Sequence, residues 1–79
     1  MTNSEVAQRF LRGIPGHTTT LSTDGQTIRS YGVAIARKTP DDAGVEMVGA
    51  GTYYSRTTSR HRNIVRGLAQ ASGMSIVEG

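Results

Sequence analysis

Thr52 to Ala71 (TYYSRTTSRHRNIVRGLAQA) is a twenty-residue stretch whose apolar residues recur every three to four positions, a spacing that commits the chain to an amphipathic helix. At 100° per residue, His61, Ile64, Val65, Leu68 and Ala71 share one side, and Ser59, Arg62, Asn63, Arg66 and Gln70 share the other. One side is core and the other is wet. Thr57, Thr58 and Ser59 are each N-cap candidates, because a β-hydroxyl accepts from an orphan N–H of the first turn, and Gly73 is a C′ candidate. Gly67 inside the pattern costs about 1 kcal/mol relative to alanine. The same stretch holds Arg56, Arg60, Arg62 and Arg66, four of the nine basic residues, while Thr52 to Gly73 contains no acid. A helix start carries partial positive charge and prefers carboxylates. An anion from outside the chain would resolve that conflict.

Upstream, Asn3 or Ser4 is placed to cap a short helix that runs to about Arg12, with Glu5 in its first turn, Val6, Ala7, Phe10 and Leu11 as its apolar stripe, and Gly13 closing it. Ile14-Pro15-Gly16 is a turn signal. From His17 the texture changes to β-branched runs punctuated by glycine. His17 to Leu21 and Gln26 to Tyr31 flank Ser22-Thr23-Asp24-Gly25 and read as a hairpin. Val33 to Thr39 is a further strand, Pro40 to Gly44 a turn, and Val45 to Val48 a short strand before Gly49-Ala50-Gly51 lets the chain leave the sheet. Met74 to Val77 reads as an edge strand or a frayed tail. The order implies one α+β domain over residues 1–79: an N-terminal helix, a small antiparallel sheet of three to four strands, and a C-terminal helix packed on one face.

Seventy-nine residues bury only about 60% of the surface an unfolded chain exposes. With 35% hydrophobic residues, one phenylalanine and no tryptophan, the core is thin, and a homodimer would cover leftover apolar surface. The absence of cysteine excludes disulfides and thiolate metal sites. No apolar run approaches the roughly 18 residues of a membrane span, and the N-terminus lacks a signal-peptide block. The chain therefore reads as a soluble intracellular protein without a membrane partner. Its net charge of +3 and pI near 10.0 permit an acidic partner without requiring one.

The Ser-Thr-Asp-Gly turn at Ser22 to Gly25, the Ile35-Ala36-Arg37 strand end, the Gly-Ala-Gly exit at Gly49 to Gly51, and Thr57-Thr58 shortly before His61-Arg62-Asn63 carry a resemblance. Their order and spacing resemble a group of small, mostly uncharacterised proteins of tailed bacteriophages, over roughly Thr20 to Leu68. That group has an aromatic residue near the Gly51-Thr52 position, for which Tyr53 and Tyr54 stand in here. The resemblance implies an accessory protein acting in the bacterial host cytoplasm, and it transfers no active site.

Among possible chemistries the best constellation is Tyr53, Tyr54, Arg56, Thr57, Thr58, Arg60, Arg62 and Arg66. Guanidinium groups fork onto phosphates, hydroxyls and helix-start N–H groups add neutral donors, and tyrosines stack on exposed bases. Against this stands a plain structural role: arginines solvating a helix face, tyrosines filling a seam, and a threonine cap. The same residue types suit a host protein as partner, as Tyr and Arg are enriched at interfaces. A second surface is the uncovered sheet face, where Thr18, Thr20, Arg29, Arg37 and Lys38 are expected. Catalysis finds no supporting spacing: His17 and His61 are the only histidines, a His61/Glu46 pair has no local motif, and Asp41-Asp42 begin no calcium loop. Gly49-x-Gly51 lacks the third glycine of a dinucleotide loop, so neither cofactor nor metal is expected. The expected function is a non-enzymatic binding module that contacts nucleic acid; the alternative is a protein-binding accessory factor that modulates a host protein.

Overall fold

A computed structural model describes residues 1–41, 43–48 and 56–78. Its elements are α1 (Asn3–Arg12), β1 (Gly16–His17), β2 (Leu21–Thr23), β3 (Thr27–Ser30), β4 (Val33–Lys38), β5 (Gly44–Met47), α2 (Arg56–Ala71) and β6 (Ser75–Glu78). The α+β class stands, but the sheet has six strands rather than three or four, in the order β1-β2-β3-β4-β5-β6. The first four pairings are antiparallel and β5–β6 is parallel. One of the extra strands comes from a split the sequence does not announce. HTTTL is not one strand: Thr18 Oγ1 accepts from the N–H groups of Thr20 and Leu21, and this hydroxyl turn folds β1 back on β2 without glycine or proline. The parallel pair arises because α2 is a crossover, which returns β6 in the direction of β5.

α1 packs on β1, β2 and β3, α2 packs on β4, β5 and β6, and the two helices touch along their sides. One core fills the space beneath them: Val6, Ala7 and Phe10 from α1; Leu21, Ile28, Ile35, Ala36, Val45 and Met47 from the sheet; Val65 and Ala69 from α2. The α1 stripe is therefore as expected, but its cap is Thr2, whose hydroxyl accepts from the Glu5 N–H at 3.1 Å. Asn3 is thereby released for another bond. Within β3–β4 the register shifts between Ile28 and Arg29, so Ile35 and Ala36 both turn inward. Two expected surface residues are corrected, Lys38 by this slip and Thr18 by the turn it forms. Lys38 points to the helices, 6% exposed, and its ammonium donates to the Leu11 carbonyl at 2.8 Å. Thr18 is half-buried and engaged with Asn3. Arg29 and Arg37 do lie exposed, with Arg37 paired to Glu46 across β4–β5.

The Asp24-Gly25 turn sits against the end of α1. Gly13 closes that helix at φ 74, and a Cβ on Gly25, itself at φ 97, would lie 2.6 Å from the Gly13 carbonyl oxygen. Backbone strain and a backbone clash coincide there, so Gly25→Ala is expected to cost about 1–3 kcal/mol, read as a lower denaturant midpoint. A neutral Gly25→Ala would mean the turn and α1 are not in contact. Asp24 accepts from the Gln26 and Thr27 N–H groups, both at 2.9 Å, and these bonds hold its carboxyl below the ordinary aspartate range.

Candidate functional site

His61, on the inner side of α2, is 2% exposed and joins four elements. Thr18 Oγ1 accepts two backbone bonds and so donates its own proton to Asn3 Oδ1 at 2.8 Å. Asn3 Oδ1 being an acceptor, Asn3 Nδ2 donates to His61 Nε2 at 3.1 Å. Nε2 must then be unprotonated, which places the proton on Nδ1, facing Ser30 Oγ at 2.7 Å. Ser30 in turn shares a hydrogen bond with Thr58 Oγ1 at 3.2 Å. The start of α1, the β1–β2 turn, β3 and the first turn of α2 are thus tied by one directed chain through a neutral imidazole. Burial pushes the His61 pKa down, in keeping with that direction. Ser30 is 0% exposed, so the Ser30–His61 pair offers no nucleophile to a solute.

Immediately after Ser30 the chain reverses through Tyr31 (φ 51) and Gly32 (φ 80), the two left-handed residues of a type I′ hairpin between Ser30 and Val33. Tyrosine in that conformation costs about 1–2 kcal/mol. Its ring is 58% exposed and lies 6.3 Å from the His61 ring, tilted by 30°. An aromatic plate is therefore held on the surface beside the first turns of α2. Sequence reasoning missed it, because Tyr31 reads as the last residue of a strand; Tyr31-Gly32 between two alternating runs was the available signal.

Of the expected site residues, Tyr53 and Tyr54 lie outside the described residues, as do Gly49, Ala50, Gly51 and Asp42. Thr57, Thr58 and Ser59 are not N-caps, since α2 already begins at Arg56. Arg56, Thr57 and Arg60 are exposed on its first turns, Thr58 is buried against Ser30, and Arg62 is half-buried. Arg66 is ion-paired with Glu78 of β6 at 2.9 Å. Its charge is spent within the chain. Arg56, Thr57 and Arg60 thus lie exposed on the first turns of the helix whose His61 ring neighbours Tyr31, and Arg66 is set apart by its ion pair. Glu46 lies on the sheet face away from His61, held by Arg37, so the two form no acid–base pair. Asp41 accepts from Thr39 Oγ1 and the Ala43 N–H, a turn role that also lowers its pKa.

Two hollows mark the helical layer. One, about 530 Å³, runs between the C-terminal halves of α1 and α2 over the half-buried Leu11, Leu68 and Met74. The other, about 110 Å³, is polar and lined by Ser59, Arg62, Asn63 and Arg66. Among the described residues no three His, Asp or Glu side chains gather into a metal site, and no helix is long and apolar enough to cross a membrane. No curated protein and no solved structure matches the chain. Residues 5–77 match the model of DUF8033, a family of unknown function, and the chain belongs to that family.

Proposed function

We propose that the protein is a non-enzymatic binding module that contacts nucleic acid through the first turns of α2, in the manner of a phage accessory protein working in the bacterial host cytoplasm. The observations that support this reading are an exposed Tyr31 whose ring neighbours His61 of α2, and an α2 start that has no acid in its first turn and carries exposed Arg56 and Arg60. A base stacks on the ring, and guanidiniums with the Thr57 hydroxyl take the neighbouring phosphates. A single strand fits better than a duplex, because only unpaired bases present their faces. Fluorescence anisotropy with labelled single-stranded DNA, RNA and duplex at two salt concentrations tests it. Arg56→Ala with Arg60→Ala is expected to flatten the log–log salt slope by about 1.4, two phosphates at about 0.7 each on a single strand. Tyr31→Asn keeps a left-handed turn residue and is expected to weaken binding about tenfold, the low end of one base stack. No binding at tens of micromolar in low salt, or indifference to these changes, would sink the reading.

The groove over Leu11, Leu68 and Met74 favours a second reading, a protein-binding accessory factor that modulates a host protein or pairs as a homodimer. A pull-down from nuclease-treated bacterial lysate separates the two: a stoichiometric protein partner that survives nuclease supports the second. Light scattering reports the dimer.

A further inference from the structure

We infer that two copies of the chain associate through the outer side of the helical layer, about a two-fold axis lying across the helices. It sets α1 on the partner's α1 and α2 on the partner's α2, each pair antiparallel. This deepens the homodimer reading of the α1–α2 groove and rests on it. The two helices run side by side in one direction. Asn3 bonds to His61, 58 positions on, and farther along the groove is lined by Leu11 and Arg12 from α1 and by Leu68 and Ala71 from α2. Both helices rise equally per residue, so that offset holds along their length. Opposite the buried Val6, Ala7 and Phe10, the outermost row of α1 is Glu5, Gln8 and Arg12, all exposed. Glu5 and Arg12 are two turns apart, too far to pair within one helix, and among the described residues neither is ion-paired. A row that reads acid, amide, base complements itself when reversed: each Glu5 meets the partner's Arg12, and the axis passes between Gln8 and Arg9.

Carried across by the helix offset, the same axis crosses α2 beside Gly67. This glycine is exposed in mid-helix, where it weakens the helix, and a Cβ on it would meet nothing within 4 Å among the described residues. Packing inside the chain does not ask for it. At the axis it lets two α2 helices approach closely, and the partner's Ile64 comes over Leu68 into the groove. Charge selects this axis over the one that stacks the layers with all helices parallel, where Glu5 would face the partner's Asn63 and the two basic α2 starts would lie together. Here those starts are carried to opposite ends, and Arg60 arrives at the partner's α2 C-terminus, whose last turn holds no base. The domain measures 29 × 29 × 19 Å, and its helical side is a broad one, of the order of the roughly 800 Å² per partner that a stable interface buries.

Sedimentation equilibrium of the intact chain tests the arrangement, with circular dichroism to follow the folding of each variant. The parent is expected to reach twice the 8.4 kDa chain mass as concentration rises. Glu5→Arg and Arg12→Glu, each of which sets like charges together at both contacts of the pair, should each weaken association about tenfold. An equimolar mixture of those two proteins should recover it, because in the mixed pair both contacts are again opposite in sign. Gly67→Leu should raise the thermal midpoint, measured at a dilution where the chain is monomeric, and yet abolish the dimer. A parent that stays monomeric up to about 1 mM would overturn this arrangement together with the homodimer reading. A dimer indifferent to these changes, or a mixture no tighter than its components, would overturn the arrangement alone.

Discussion

Phe10→Ala is expected to remove a large share of the stability of this domain, lowering the thermal midpoint by more than about 12 °C. Phe10 is the sole phenylalanine, is 0% exposed, and is among the largest fully buried side chains in a chain without tryptophan. It lies in the core shared by both helices and the sheet, so its loss opens a cavity that α1, closed at Gly13 and tied by Lys38, cannot collapse to fill. Truncating a buried phenylalanine costs about 3–5 kcal/mol, against a total of roughly 4–12 kcal/mol for a domain of this length. Phe10→Leu, which keeps most of the volume, should cost about 1–1.5 kcal/mol. Chemical denaturation of the three proteins checks the pattern, and equal losses for Ala and Leu would mean that the residue is not packed.

His61→Leu is expected to cost about 2–4 kcal/mol, because Ser30 and Asn3 both lose a partner while remaining buried or half-buried. The same substitution should remove an acid sensitivity. Burial lowers the folded-state pKa of His61 below the ordinary value near 6.5, so as the pH falls through about 6.5 the unfolded chain takes up the proton first. Stability is then fully present above about 6.5 and is lost progressively below it, down to the folded-state value. Asp24 and Asp41, whose pKa values are also lowered, contribute only around and below the aspartate range, which leaves pH 5 to 6.5 to His61. Unfolding midpoints across that window should slope in the parent and lie flat in His61→Leu. Asn3→Asp offers a carboxylate to a protonated Nε2 and should diminish the slope; an unchanged slope would contradict the directed chain from Thr18 to Thr58.

How far the sequence carried can be judged on particular residues. The 3.6-residue period located both helices and buried Val6, Phe10, His61 and Val65 correctly, since such a stripe has only one way to face a sheet. It misplaced Ala71, which is exposed, and overlooked Ala69, which is buried, because α2 is covered by α1 on one flank and open on the other. Glycine and proline marked the Asp24-Gly25 and Pro40 turns. They did not mark the threonine turn at Thr18, whose cause is a hydroxyl rather than a backbone preference. Lys38 was grouped with Arg37 on the open face, although neighbouring strand residues point to opposite sides, and past the β3–β4 bulge it is Ala36 and Lys38 that turn inward. The arginines were found as a cluster, but Arg66 proved to be paired with a residue twelve positions away, a distance over which charge spacing along a chain says nothing.

Local chemistry by itself determined the class of elements, the close of α1 at Gly13 and the acid-free start of α2, because caps, turns and periodicity act within a few residues. Tertiary structure alone decided that the sheet has six strands with a parallel edge, that His61 is wired neutral between α1 and β3, and that an exposed tyrosine stands beside His61. Those outcomes depend on which distant segments share a register, and register is settled by the packing of the whole core rather than by any stretch within it.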